Sequence, residues 1–162
     1  MILIIYELIH GVYRQKCRYK IYKLAENKSK LENKPLLVVG DPYSGYGSIF
    51  FNKFMDTYKC GDITIDLTGS PLCNGIKIDI LSYLKKQPSN SLVIFISCVL
   101  EYVDDIDQVI DEIYRVAGDS SKIFIVTVNK WALASLFYMD STTPLTKRIV
   151  TAPPIYDKIT YS

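Results

Sequence analysis

Three short runs of almost unbroken apolar residues constrain the fold of this chain most: residues 35–40 (PLLVVG), 91–100 (SLVIFISCVL) and 122–128 (KIFIVTV). Strands without polar alternation are buried on both faces, as they are inside a parallel sheet. Segments with helical periodicity lie between these runs, and this alternation predicts helices on both faces of the sheet. The sequence therefore predicts an α/β protein, a three-layer sandwich with a mostly parallel sheet flanked by helices.

The remaining elements follow from periodicity and turn residues. We predict further strands at 62–67 and 76–80, helices at 48–59, 104–118 and 131–139, and two short strands within 147–161. Only residues 68–75 (TGSPLCNG) separate the second strand from the third, whereas parallel neighbours normally need a crossover of about a dozen residues or more. Either a face helix is missing there or residues 76–80 are a bare edge piece, so the predicted architecture is minimal and partly eroded.

The length suits one compact domain, because 162 residues of which 49% are hydrophobic can bury one core. We assign residues 1–34 to an N-terminal helix and linker, with 26–34 as the solvated linker, and residues 35–162 to the domain. The apolar start of the helix is too short to span a bilayer. The helix is predicted to pack on the domain; the alternative is contact between this helix, with its basic residues at 14–23, and a membrane surface or a partner protein.

Composition excludes several classes of site. The net charge is only +2, with 19 basic and 17 acidic residues spread along the chain, so no nucleic-acid patch is indicated. Cys17, Cys60, Cys73 and Cys98 show no CxxC spacing, and two of them lie in or beside apolar runs where a buried free thiol is expected, so we expect a reducing, cytoplasmic compartment. The single histidine, His10, lies in the apolar N-terminal helix, which argues against a Ser-His-Asp triad or a histidine-rich metal site. The bias toward Ile, Lys, Tyr and Asn fits an AT-rich genome, such as that of a large DNA virus or a protist.

Polar residues follow the predicted strands where a parallel sheet would bind a ligand. Asp41, Asp66 and Asp79 come at the ends of the first three strands, and Ser97 and Cys98 at the end of the fourth. Ligands of open parallel sheets bind outside the carboxyl ends of the strands. Three carboxylates there would repel a pyrophosphate, so we expect a ligand with hydroxyls, an exocyclic amine and net positive character.

The glycine turn after the first strand does not match the common nucleotide motifs. Gly40, Gly45 and Gly47 lack G-x-G-x-x-G spacing, and no Lys-Ser/Thr pair completes a P-loop. A dinucleotide-dependent oxidoreductase is therefore disfavoured.

Residues 89–129 resemble the central part of class I S-adenosylmethionine-dependent methyltransferases, a Rossmann-like family. The matching features are an apolar fourth strand, Val99–Val103 (VLEYV), the helix residues Glu112, Arg115 and Val116, and an apolar fifth strand. With the first strand, Asp66 and Asp79 included, the resemblance covers roughly residues 35–130.

The resemblance implies an S-adenosylmethionine site along the strand ends. The first turn, with Gly40, Asp41, Ser44 and Gly45, would approach the methionine moiety, and Ser97, at the end of the fourth strand, is a further candidate cofactor-binding residue. Asp66 would hold the ribose hydroxyls and Asp79 would contact the adenine. Asp66 as the start of an Asx turn and Asp79 as a helix cap stay open as purely structural alternatives.

Departures from the family pattern leave two functions open. Val38, Gly40, Pro42 and Ser44 stand where the family has an acid followed by alternating glycines, and Ser97 and Cys98 replace its Asp/Asn-Pro-Pro-Tyr motif. No catalytic residue can therefore be named. The chain is either a minimal methyltransferase that acts by proximity and orientation, or a catalytically inactive descendant. The latter would be a structural or protein-binding module with the N-terminal helix and residues 152–156 (APPIY) as contact surfaces.

Overall fold

The computed structural model describes residues 2–43 and 54–127, with residues 2–11 and Arg14 as helical backbone only. In chain order the elements are α1 (Ile2–Glu32), β1 (Leu36–Val39), β2 (Ile63–Asp66), β3 (Ile76–Lys77), α2 (Ile80–Leu84), β4 (Val93–Ser97), α3 (Ile106–Ala117) and β5 (Ile123–Val126). Short 3₁₀ helices at Pro71–Cys73, Leu100–Tyr102 and Ser120–Lys122 connect some of them.

The five described strands form one sheet in the order β3-β2-β1-β4-β5, and every neighbouring pair is parallel. The strand order reverses between β1 and β4, which is the topological switch point of a Rossmann-like sheet. The predicted α/β class and parallel sheet are therefore confirmed.

Each central strand is buried on both faces, as its apolar run predicts. Leu37 of β1 and Ile94 of β4 face one core, together with residues of α2 and α3. Val38 of β1 and Phe95 of β4 face the second core, against Tyr22 of α1. The sheet is thus the middle layer of three, with α1 on one face and α2 and α3 on the other.

The interpretation of residues 26–34 as a linker is wrong, because α1 continues to Glu32. Ion pairs at helical spacing support this polar segment: Glu26 pairs with Lys23 and Lys30, and Lys28 pairs with Glu32. Ala25 and Ser29 are small enough to lie buried against the domain. The prediction that the helix packs on the domain is therefore right for the part of α1 whose side chains are described.

Two other predicted elements are shorter than expected. Residues 48–53 of the predicted helix at 48–59 lie outside the described part of the chain, and residues 56–60 are not helical. The predicted strand at 76–80 ends at Lys77, because Asp79 already caps α2.

The predicted helix 104–118 is observed as α3, with Val109, Ile113 and Val116 fully buried. The predicted elements after residue 127 lie outside the described range.

The connection between β2 and β3 contains no α-helix, and β3 lies at the edge of the described sheet, so both a missing face helix and a bare edge piece fit the structure. The connection contains one 3₁₀ turn, Pro71–Cys73, and an isolated antiparallel bridge between Ser70 and Gly75. A disulfide joins Cys73 to Cys60, which precedes β2. The absence of CxxC spacing did not reveal this disulfide, and the other two cysteines, Cys17 and Cys98, are free thiols.

Candidate functional site

Gly40 follows β1 and lies close to the carboxyl end of β4. Its φ is +100°, and a Cβ built there would lie 3.0 Å from Val99 Cγ2 and 3.2 Å from the Ser97 carbonyl oxygen. A side chain would meet both an unfavourable backbone conformation and the neighbouring strand end. The glycine therefore brings the first turn directly against β4.

Asp66 lies beside this turn at the end of β2, and its carboxylate is largely occupied by the protein. One oxygen accepts the Asp41 backbone N–H at 3.1 Å, and the other accepts the Thr68 N–H at 2.8 Å and the Thr68 hydroxyl at 2.6 Å. A carboxylate offers about four acceptor positions, so these three donors leave about one. The Asx turn, the structural alternative for Asp66, is present, while a role in ribose binding stays a prediction.

Asp41 holds the first turn against the β2–β3 connection. Its side-chain Oδ1 accepts the Tyr43 N–H at 3.0 Å and the Ser70 hydroxyl at 2.7 Å. The Tyr58 hydroxyl donates to the Asp41 carbonyl oxygen at 3.3 Å. Asp41 and Asp66 therefore form one hydrogen-bonded group at the ends of β1 and β2.

Asp79 follows β3 at the same carboxyl edge of the sheet, but its side chain caps a helix. Its Oδ1 accepts the Ser82 N–H at 2.8 Å and caps α2. This backbone hydrogen bond lowers the pKa of Asp79 below its ordinary value. The neighbouring Ile78 N–H donates to the Asp66 carbonyl oxygen at 3.2 Å, which places Asp79 close to Asp66 in the chain path. The predicted cap is observed, and a contact between Asp79 and an adenine stays a prediction.

The end of β4 is covered by a side chain that sequence reasoning missed. Arg18 of α1 donates from Nη2 to Cys98 Sγ at 2.8 Å. Cys98 has a φ of +53°, which only a few per cent of non-glycine residues adopt. Ser97 is buried, and its hydroxyl makes no hydrogen bond. A guanidinium therefore lies at the carboxyl end of β4, on the residue that follows the candidate site residue Ser97.

The spacing of polar and small residues on α1 could have identified its buried face, including Arg18, from the sequence. Gln15, Tyr22, Ala25 and Ser29 are buried, and together with Arg18 they recur at intervals of three and four residues. This is the spacing of one helix face. Because two members are large polar residues, the stripe does not look like a buried face in the sequence.

The buried surroundings fix the charge states at this strand end. Burial alone would lower the pKa of Arg18, but the neighbouring Cys98, Tyr58 and Glu101 outweigh it and the pKa is raised. Burial raises the pKa of Tyr58 to about 12 against the opposing effect of Arg18. At neutral pH Arg18 is a cation and Tyr58 is uncharged.

The candidate site therefore brings together Gly40, Asp41, Asp66 and Ser97 and places Asp79 at its edge, while Ser44 and Gly45 lie outside the described residues. Hydroxyl and amine groups of a ligand could donate hydrogen bonds to the carboxylates of Asp41 and Asp66. A sulfonium suits the Arg18 side poorly, so the fit to S-adenosylmethionine is partial.

Other kinds of site find little support in the described part of the chain. No cluster of three or more His, Cys, Asp or Glu side chains could hold a metal ion within residues 2–43 and 54–127. An open cleft of about 410 Å³ lies between α1 and the segment before β2, lined by Lys16, Tyr19, Met55 and Asp56, none of them a predicted site residue. In the same ranges, no helix is long and apolar enough to cross a membrane.

No family model, curated protein or solved structure matches this chain.

Proposed function

We propose that this chain is a catalytically inactive, methyltransferase-like protein that acts as a binding or assembly module. The observation that carries the proposal is the Arg18 guanidinium against Cys98 at the carboxyl end of β4. The switch point between β1 and β4 is where an open parallel sheet binds its ligand. In this chain its own N-terminal helix contributes a positive charge there.

Electrostatics argue against a methyl donor at this position. S-adenosylmethionine carries its reactive methyl group on a positively charged sulfonium. Two like charges 5–10 Å apart repel by about 2–3 kcal/mol at an effective dielectric constant of about 20. Arg18 would therefore weaken the binding of the donor at the end where transfer has to occur.

The hydrogen bonds of the acidic side support the same proposal. Asp66 accepts three donors from the protein itself, and Asp79 caps α2. A ribose diol would have to displace the Thr68 hydroxyl in order to donate both of its hydrogens to Asp66. The carboxylates that a nucleoside would use are thus already employed in holding the strand ends together.

The direction of α1 supports a role in assembly. Tyr22 packs on Phe95 within β4, and Arg18 lies at the level of Cys98, so the helix runs antiparallel to the strands. At 1.5 Å per residue, the backbone from Arg18 back to Ile2 extends about 24 Å past the carboxyl end of β4. We propose that this part of α1 contacts a protein partner.

A minimal S-adenosylmethionine-dependent methyltransferase is the second candidate. It is favoured by the close approach of Gly40 to β4 and by the juxtaposition of Asp41 and Asp66. In that case these residues would bind and orient the donor, and the donor would supply the methyl group.

Calorimetric titration with S-adenosylmethionine separates the two candidates. The inactive module gives no saturable heat at donor concentrations up to about 1 mM, which corresponds to about 4 kcal/mol of binding free energy. Binding at about 1 μM, or about 8 kcal/mol, would overturn the proposal and favour the enzyme.

A further inference from the structure

The connection between β2 and β3, residues 67–75, contacts the carboxylates at the ends of β1 and β2. The Ser70 hydroxyl donates to Asp41 Oδ1 at 2.7 Å. The Thr68 N–H and hydroxyl donate to Asp66 Oδ1 at 2.8 Å and 2.6 Å. The connection therefore supplies three of the hydrogen bonds that these two carboxylates accept.

This connection contributes little to the packing of the domain. Of the core residues that the structure describes, none belongs to residues 67–77, and the 3₁₀ turn Pro71–Cys73 has no buried residue. The connection leads into β3, which consists of two exposed residues at the edge of the described sheet. Segments with few buried apolar contacts open locally at a low free energy, so a cross-link here decides whether the segment stays closed.

The Cys60–Cys73 disulfide is the cross-link at this edge. It joins the end of the 3₁₀ turn to a residue that precedes β2. The Cys73 N–H donates to the Ser70 carbonyl oxygen at 3.0 Å, so the disulfide and the side chain that contacts Asp41 belong to the same turn. Both cysteines are partly exposed, and Leu72 beside Cys73 is 71% exposed. Exposed disulfides are the ones that exchange with external thiols and serve regulation.

We propose that the Cys60–Cys73 disulfide is a redox-exchange site, reduced by an external dithiol, that holds the β2–β3 connection on the carboxylates of Asp41 and Asp66. In the exchange, a thiolate of the dithiol attacks one protein sulfur and forms a mixed disulfide, while the other protein sulfur leaves as a thiolate. The second thiol of the dithiol then attacks the mixed disulfide and releases the protein. The protein gains two electrons and two protons, and the dithiol is oxidised to a disulfide.

Reduction exposes the acidic end of the strand edge. Once the cross-link is cut, the connection opens, and the donors of Thr68 and Ser70 leave Asp66 and Asp41. The carboxylates then accept hydrogen bonds from water or from a partner instead of from the chain itself. The core is unaffected, because it contains no residue of the connection. This role of the disulfide does not depend on whether the crevice binds a methyl donor.

The test is NMR relaxation of the ¹⁵N-labelled full chain, in oxidised wild type, in wild type reduced with dithiothreitol, and in Cys60→Ser/Cys73→Ser. On reduction, the backbone order parameters of residues 68–75 fall from about 0.85 to below about 0.6, whereas those of Leu37 and Ile94 in the central strands stay high. The amides of Asp41 and Thr68, which donate to Asp66, change their chemical shifts. Oxidised glutathione, added after the dithiothreitol is removed, restores the original spectrum.

The two variants separate the disulfide from other thiol chemistry. Cys60→Ser/Cys73→Ser behaves like reduced wild type with or without dithiothreitol. Cys17→Ser is the matched control, since Cys17 is a free thiol, and it responds to dithiothreitol as wild type does. Reduced wild type gives the same readout should the double variant fail to fold.

Each other outcome overturns the proposal. Unchanged order parameters in the reduced, folded protein mean that the hydrogen bonds of Thr68 and Ser70 hold the connection without the disulfide. Loss of signal dispersion across the whole spectrum makes the disulfide a purely structural support of the fold. A disulfide that dithiothreitol reduces only in denaturant is not an exchange site. None of these results bears on the inactive module, which the S-adenosylmethionine titration tests separately.

Discussion

The Cys60–Cys73 disulfide should supply a substantial part of the stability of the β2–β3 edge. The bridge has a sequence separation of 13 and encloses β2 and the 3₁₀ turn. In the chain-entropy model, closing a loop of this size removes about 3 kcal/mol of unfolded-state entropy. With a urea m-value of about 2 kcal/mol/M, the double variant Cys60→Ser/Cys73→Ser should lose about 1.5 M in unfolding midpoint.

Urea unfolding followed by circular dichroism measures this loss. Wild type treated with a thiol reductant should match the double variant, because both cysteines are partly exposed and accessible. Cys17→Ser is the matched control, since Cys17 is free, and its midpoint should stay close to that of oxidised wild type. Mass spectrometry after alkylation should find two blocked thiols. Four alkylated cysteines in the purified protein, or an unchanged midpoint in the double variant, would refute the reasoning.

Three further substitutions test the strand ends. Gly40→Ala should lower the free energy of unfolding by about 1–3 kcal/mol, because the residue has a φ of +100° and its Cβ would lie 3.0 Å from Val99 Cγ2. A loss below about 0.5 kcal/mol in chemical unfolding would contradict this. Asp79→Ala should cost about 1 kcal/mol through the lost helix cap. The folded-state pKa of Asp79 is lowered, so the cap stabilises the protein above the ordinary Asp pKa of 3.8 and this stabilisation disappears as the pH falls through the folded-state pKa. Equal losses of stability at neutral and at strongly acidic pH would count against the cap. Asp66→Ala should lower the melting temperature whether or not a ligand is present, because its carboxylate accepts three protein donors; an unchanged melting temperature would speak for a purely ligand-binding role.

The sheet was predictable because its strands are continuous apolar runs. Residues 91–100 and 122–128 are flanked by turns and lie on either side of an amphipathic helix, so both the strands and their parallel pairing followed from pattern alone. The short β2–β3 connection left a missing face helix or a bare edge piece as alternatives, and the structure has β3 at the edge of the described sheet.

The extent of α1 and the position of Arg18 were not predictable from apolar periodicity. The helix continues through a polar segment because ion pairs such as Lys28–Glu32 support it and because Ser29 is small enough to be buried. Arg18 and Gln15 occupy the face that packs toward the strand ends, where hydrophobic residues are expected.

The disulfide was not predictable because pairing depends on distance in the fold. The Cys60 and Cys73 Cα atoms lie 5.4 Å apart because the chain turns back after β2, which the cysteine spacing does not indicate. Among the site residues, Asp41, Asp66 and Ser97 follow strands that sequence could place, so their shared edge could be predicted. Two of the hydrogen bonds that occupy Asp66 come from Thr68 in the Asx turn that the sequence allowed as an alternative. The third comes from the Asp41 N–H and depends on the path of the first turn, which the sequence could not predict.

The most direct test of the central claim is an amide-resolved NMR titration of the labelled full chain with S-adenosylmethionine. The amides of Gly40, Asp41 and Thr68 lie at the ends of β1 and β2, and that of Cys98 follows β4. If Arg18 closes the switch point to a sulfonium, these resonances stay unchanged up to about 1 mM donor. Saturable shifts of these amides at micromolar donor would contradict the account and identify the crevice as a methyl-donor site.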